Sequence, residues 1–329
     1  MTNGNIHDVV IVGGGPAGLS ATLLLGRCLR KVVMIDASQA EIDPDLSSGI
    51  EIEQEGCSAT EFLRVGRAQL ANFATVASVR TSVQDVERSG FGFTVHCGCG
   101  TTITTRALLL ASDFIARTPG IPGSEQFYGS SLHQCPYCDG WEHRGRKIGV
   151  LGADETAVDL AMKLLQWSSR ITLFANGGTL GTPCEKRLVK SRIPVVRGTV
   201  TALEGQDRNL EQIRIDDGSS HSCEALFFSS PRKYHSSLAA RLGCDWERID
   251  GAVRWQPNGD TGIEGLFVAG DASRTSEFTV IAAGEGLKAA EVVNNWLREA
   301  DQSYLAVQPV AFSGTRPNRP MAAPRRKAQ

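Results

Sequence analysis

Apolar positions along the chain fall in short blocks, and two of these blocks repeat the same order. Residues 9–12 are a run of four apolar side chains closed by glycines. Residues 17–27 then carry apolar positions at helical spacing, and residues 31–35 form a second apolar run. That order predicts strand–helix–strand, the start of a parallel sheet. Residues 38–55 are polar and loose, and residues 60–73 predict a helix. Residues 76–86, 92–96 and 101–110 predict strands, with Ser89-Gly90 as a turn. Residues 147–151, 155–167 and 170–174 repeat the strand–helix–strand order about 138 residues after the first. The pattern loosens around residues 230–242. Residues 265–270 then predict a strand, and residues 278–300 a long helix rich in small residues.

Two such openings predict an α/β protein with two Rossmann-like, nucleotide-type domains, three-layered, the second inserted into the first. The stretch Thr118-Pro-Gly-Ile-Pro-Gly123 reads as the linker into the insert. The expected division is 1–118 and 244–312 for the first domain, 119–243 for the insert, and 313–329 for a tail.

Composition changes this picture little. The 329 residues are 41% hydrophobic, enough for two cores, and net charge is −2. That balance points to neither nucleic acid nor membrane as partner. No apolar run reaches the roughly 18–20 residues of a membrane span. The N-terminus lacks a signal-peptide pattern, so a cytoplasmic location is expected. The tail carries Arg316, Arg319, Arg325, Arg326 and Lys327 and no acid, leaving the body at −7. Docking of this basic tail on the acidic body is therefore expected. The nine cysteines are an odd number and mostly scattered, which argues for one special pair among inert thiols.

The first turn, Gly13-Gly-Gly-Pro-Ala-Gly18, fits G-x-G-x-x-G. Gly13 makes the tight turn, Gly15 lets the backbone approach a pyrophosphate, and Gly18 lets helix and strand pack closely. Pro16 and Ala17 open the helix, whose N-terminus would face the phosphates. Asp36 ends the second strand 21 residues after Gly15, where a carboxylate can accept from ribose hydroxyls.

Cys135-Pro-Tyr-Cys-Asp-Gly140 is the strongest signal. Cysteines at i and i+3 of a helical turn face one side, within disulfide reach. Pro136 suits the first helical position, so Cys135 begins the turn, where the helix dipole favours a thiolate. Asp139 is a candidate proton donor to a leaving thiolate. Zinc is the competing reading. It needs two more ligands, for which Cys97, Cys99 and His133 or His143 are candidates. Cys97 and Cys99 fall in an expected hairpin, however, and there is no second CxxC. No metal is assigned. Cys28, Cys57, Cys184, Cys223 and Cys244 read as plain thiols.

Gly265-Leu-Phe-Val-Ala-Gly-Asp271 resembles the second FAD fingerprint of flavoproteins with two dinucleotide domains. The resemblance implies that Gly270 and Asp271 bind the cofactor, with Asp271 holding the ribityl chain. It also implies that Ala282 opens the helix aimed at the flavin ring. The order of FAD fingerprint, C-x-x-C-D-G, second βαβ and G-D motif is similar to low-molecular-weight thioredoxin reductases over about 300 residues. This implies an FAD-dependent disulfide oxidoreductase, a homodimer, and a thioredoxin-like partner. Cys138 would face the flavin, Cys135 would engage the partner, and Asp139 would be the acid/base. The Pro-Tyr filling followed by Trp141-Glu142 resembles a side branch. That branch holds dithiol oxidases of dithiolopyrrolone and epipolythiodioxopiperazine pathways, and reductases that have lost pyridine nucleotide. A small-molecule disulfide or dithiol is thus an alternative partner, and ferredoxin an alternative electron donor. A flavin-binding sensor without turnover is the reading from another class.

The pattern departs from the family at the second turn, Gly152-Ala-Asp-Glu-Thr-Ala157. Asp154 stands where a glycine should admit a diphosphate, and is expected to cap the helix itself. After the next strand, Ala175-Asn-Gly-Gly178 has no arginine for NADP and no acid for NAD. Lys186 and Arg187 lie further on at no matching spacing. Use of NADPH is therefore not expected in the usual way. Ser112-Asp113 replaces the family's Thr-Gly, and residues 42–57 lack its asparagine and proline-glycine loop.

Overall fold

A computed structural model describes residues 6–37, 59–90, 92–112, 114–115, 118–229, 233–234, 238–244, 256, 258–273 and 278–307. The expected opening is a strand at His7–Val12, a helix at Pro16–Arg27 and a strand at Val32–Asp36. These belong to a seven-stranded sheet in the order Val76–Arg80, Val32–Asp36, His7–Val12, Thr102–Leu110, Gly92–Cys97, Val83–Ser89. Leu266–Val268 adds to Thr102–Leu110 in parallel, with Phe267 opposite Leu109. The Gly92–Cys97 and Val83–Ser89 strands fold back antiparallel.

Both faces of this sheet are covered, which is why its central strands read as unbroken apolar runs. Val9, Ile11, Val32, Met34 and Leu109 pack under the helices Pro16–Arg27, Ala59–Leu70 and Thr279–Val307. Val10, Val12, Val33, Ile35 and Leu110 face the other way, toward Phe93, Val95 and the short helix Leu238–Arg241. The result is three layers. The first and last helices cross closely, because Gly286 lets the backbone of Ala17 in where any Cβ would collide with the Ala17 carbonyl.

A second, all-parallel sheet of five strands lies wholly between residues 132 and 228. Its order is Val195–Val196, Ile171–Phe174, Ile148–Leu151, Ala225–Phe228, Leu132–His133. The chain leaves the first sheet through Phe114–Ile115 and returns through Lys233–Tyr234. These two crossings pair antiparallel with each other.

Two expectations need correcting. Residues 76–86 are not one strand. The run breaks at Thr81-Ser82, where the Thr81 N–H donates to the Asp36 carbonyl, and its halves lie on opposite edges of the sheet. Val79 and Val83 flank the break at an even spacing, so periodicity alone does not reveal it. The antiparallel sheet Val200–Gln206, Asn209–Ile215, Ser220–Ser222 was not expected. The loose segment 38–55, residues 42–57, Asp113 and the tail from 313 lie outside the described residues.

Helix Thr279–Val307 is tied to the first sheet by charge. Asp301 pairs with Arg30 at 2.7 Å and with Arg106 at 2.7 Å, and Arg106 also reaches Asp8 at 3.1 Å. Burial raises the Asp301 pKa, but hydrogen bonds from both arginines outweigh it and hold it below the usual carboxylate range. This contribution is present above the unfolded carboxylate pKa and is lost as pH falls through the lowered one. Asp301→Asn is expected to cost about 1 kcal/mol at neutral pH, discounted for partial exposure, and to flatten stability loss at low pH. Urea unfolding at neutral and acid pH checks this; equal losses at both would assign the effect to packing.

Candidate functional site

At the end of strand His7–Val12, Gly13 turns the chain with φ of +116°, a conformation that favours glycine. Its N–H donates to the Ile35 carbonyl at 2.8 Å, locking the turn to the neighbouring strand. Gly15 caps the helix with no side-chain hydrogen bond, and Pro16 fills the first helical position. Among the described residues no side chain caps this helix N-terminus, which leaves its N–H groups to an anion. Asp36 stands against Gly14, closely enough that a Cβ there would meet its carboxylate. Arg67, from helix Ala59–Leu70, pairs with Asp36 at 2.8 Å, a partner the sequence did not suggest.

Gly270 and Asp271 sit in a helical turn after strand Leu266–Val268. A Cβ on Gly270 would stand 2.7 Å from Ala17 Cβ and 3.8 Å from Ala282 Cβ. The two glycine motifs and the start of helix Thr279–Val307 thus meet in one cradle that larger side chains would fill. Glu285, also unforeseen, accepts from the Gly270 N–H at 3.0 Å. Open backbone donors, a carboxylate at the strand end and a lining of small residues fit an adenine dinucleotide.

The cysteine pair lies in the insert, directly after strand Leu132–His133. Cys135 caps the short helix Pro136–Asp139, and the Cys138 N–H donates to its sulfur at 3.2 Å. The two cysteines form a disulfide with their Cα atoms 5.3 Å apart. Tyr137 is exposed between them, its ring 6.0 Å edge-on from Trp167. Asp139 Oδ1 lies 3.2 Å from His133 Nδ1, and His133 Nε2 lies 2.8 Å from His143 Nε2. Both histidines are buried. Burial, with the charges of His133 and Arg146, lowers the His143 pKa to about 4. Burial, then the Asp139 charge, raises that of Tyr128. Cys97 and Cys99 lie instead at the end of strand Gly92–Cys97 in the other sheet. Among the described residues no three candidate ligands gather around a metal.

A cleft of about 670 Å³ opens at Cys135, lined by Tyr137, Asp159, Lys163, Phe228 and Phe278. The Phe278 carbonyl accepts from the Ala282 N–H at 3.0 Å, so cleft and cradle share the start of one helix. The sequence profile of the pyridine nucleotide-disulphide oxidoreductases matches residues 7–286. The chain belongs to that family. Within it, a thioredoxin reductase of Mycolicibacterium smegmatis is 28% identical, over 91% of this chain and 99% of its own. Thioredoxin reductase tcpT of Claviceps purpurea is also 28% identical, over 82% and 88%. The crystal structure of HlmI superposes with a TM-score of 0.87 at 30% identity, covering 93% of this chain and 97% of its own. The chain is thus an FAD-dependent flavoprotein of thioredoxin reductase type, acting on sulfur groups.

Family membership makes the second turn informative. There the Ala157 N–H donates to Asp154 Oδ1 at 2.8 Å, so the helix Glu155–Leu164 caps itself. Asn176 accepts from the Val200 N–H at 2.9 Å. Arg187 reaches Asp159 at 2.5 Å and Glu155 at 4.0 Å. Among the described residues, no helix is long and apolar enough to cross a membrane.

Proposed function

We propose that this chain moves electrons between FAD and a partner disulfide through Cys135 and Cys138, without NADPH in its usual role. The disulfide at the mouth of an aromatic cleft, beside Asp139, carries the reading. FAD supplies two-electron redox chemistry when bound. Gly13, Gly15, Pro16, Ala17 and Gly18 would hold its pyrophosphate, Asp36 its adenosine ribose, and Gly270, Asp271 and Ala282 its ribityl and flavin end. Cys135, as the helix cap with an N–H on its sulfur, is suited to be the attacking thiolate. It attacks one partner sulfur, the partner S–S bond breaks, and Cys138 then displaces the partner from Cys135. Asp139 serves the leaving thiolate as proton donor. A homodimer working in the cytoplasm completes this proposal.

The cleft also favours a second reading. Its volume suits a small molecule, and Tyr137, Phe228 and Phe278 offer apolar surface next to Cys135. Run backwards, the same exchange closes a disulfide in a small dithiol and passes the electrons through FAD to oxygen. A thioredoxin-like protein and reduced ferredoxin remain the partner and donor of the first reading.

Anaerobic titration with NADPH, NADH, reduced ferredoxin and dithiols separates these readings. Bleaching by a dithiol with reoxidation in air supports the oxidase; bleaching only by ferredoxin supports the reductase. If no thiol and no partner disulfide exchanges electrons with the flavin, the cysteine route is wrong. The cofactor released on denaturation is expected to be FAD, since FMN has no adenosine for the first turn and Asp36. Its mass decides.

A further inference from the structure

The polar path that begins at Asp139 does not end there. His133 Nδ1 lies 3.2 Å from the Asp139 carboxylate, and its other nitrogen meets His143 Nε2 at 2.8 Å. The two residues are 6% and 5% exposed, with the Phe227 ring packed against both. His143 Nδ1 is buried with no hydrogen-bond partner among the described residues. Packing alone does not account for this arrangement. An apolar side chain beside Phe227 would fill the space without burying an unsatisfied nitrogen.

Among the described residues, the groups whose charge acts on His143 are His133, Arg146, Asp139 and Glu224. The Glu224 carboxylate accepts from the Lys147 N–H at 2.8 Å. Burial, first of all, prevails over the two carboxylates, so His143 is neutral at working pH. One of the two facing Nε2 atoms must then carry the hydrogen and the other accept it. If His133 donates to Asp139 through Nδ1–H and is neutral, His143 donates to it. If His133 is protonated, it donates both ways. The second state holds one proton more than the first: the hydrogen between the Nε2 atoms passes to His133, and His143 carries its own on Nδ1.

We propose that His133 and His143 are positioning residues that, with Asp139, form a buried chain holding the proton exchanged by the cysteine pair. The proposal rests on the dithiol reading above. When a thiol opens the disulfide, its thiolate bonds to Cys135 and the Cys135–Cys138 bond breaks. Cys138 leaves with the electron pair. The proton lost by the attacking thiol enters the Asp139–His133–His143 chain, and Asp139 returns one to the departing sulfur. Atoms and charge balance with no further reactant. Exchange in the opposite direction runs the line backwards.

The test uses the flavin-loaded protein with dithiothreitol as probe. Anaerobic flavin reduction is followed from about pH 5.5 to 9 in the parent, His133→Gln, His143→Gln and His143→Phe. Glutamine keeps a hydrogen-bonding group near Nε2 but moves no proton; phenylalanine keeps only the ring. All three are expected to react about tenfold or more slowly at neutral pH and to lose the parent's pH profile. The second readout is independent of turnover. Alkylation of Cys135 by iodoacetamide in phosphine-reduced protein, read by peptide mass, is expected to shift about one pH unit upward in His133→Gln. FAD content and thermal midpoint should match the parent in at least the glutamine variants. Unchanged rate and alkylation profiles overturn the proposal. So does a rate loss that merely tracks lost FAD or lost stability, which assigns the histidines to packing. A parent protein that dithiothreitol does not reduce defeats the dithiol reading instead, while alkylation still judges the chain.

Discussion

Cys135→Ser protein is expected to lose disulfide turnover at least about a thousandfold, the scale of removing a nucleophile, while gaining a broad long-wavelength absorbance. The absorbance arises because a thiolate beside an oxidised flavin donates charge to it. With Cys135 gone, Cys138 has no disulfide partner and is expected to stay a free thiolate beside the ring. Cys138→Ser should lose turnover equally but show no such band. It should instead trap a mixed disulfide with the partner, since Cys135 keeps its helix cap and the Cys138 position can no longer resolve the bond. Asp139→Asn should slow exchange without releasing FAD. Absorbance and mass spectra of the two serine variants settle the roles. Swapped spectra exchange the roles of the cysteines; near-normal turnover in both variants makes the pair structural.

Micromolar NADPH should leave the flavin oxidised over seconds under conditions where a dithiol bleaches it. A diphosphate at the second turn would have to displace Asp154 from the Ala157 N–H and sit beside its negative charge. The 2′-phosphate would find Asn176 bonded to Val200, and Arg187 engaged by Asp159 and Glu155. Asp154→Gly should therefore not restore reduction alone, because it opens the turn without supplying a grip on the 2′-phosphate. Stopped-flow bleaching within milliseconds would refute the argument.

Much of this was legible before any coordinates. The glycine turn and the C-x-x-C-D are signals of spacing, and spacing survives in one sequence, whereas the Gly270-Asp271 pair was read only through its resemblance to a known fingerprint. Asp154 as a cap was equally readable, because the capping side chain and its amide are three residues apart. Distant partners were not. Arg67 is 31 residues from Asp36 and sits on an ordinary amphipathic helix. Glu285 reaches back 15 residues to Gly270. His133 and His143 flank the cysteines, and two of only six histidines so placed were a usable signal. It pointed toward zinc, since ligand candidates and proton carriers are the same residue type. The break at Thr81-Ser82 failed for another reason. Strand period continues through a turn whenever the turn preserves inside–outside parity.

The paired crossings at Phe114–Ile115 and Lys233–Tyr234 also set an order of events during synthesis. The insert's sheet is complete once residue 228 has left the ribosome, whereas the surrounding sheet waits for Leu266–Val268. The piece that begins second in the chain therefore finishes first, the reverse of the usual N-terminal-first order. Until then the Leu108–Leu110 end of its longest strand lacks one neighbour and presents unpaired backbone with three leucines. A chain stopped shortly before residue 266 should yield a folded insert on an aggregating host, and a nascent chain of that length is where a chaperone would bind.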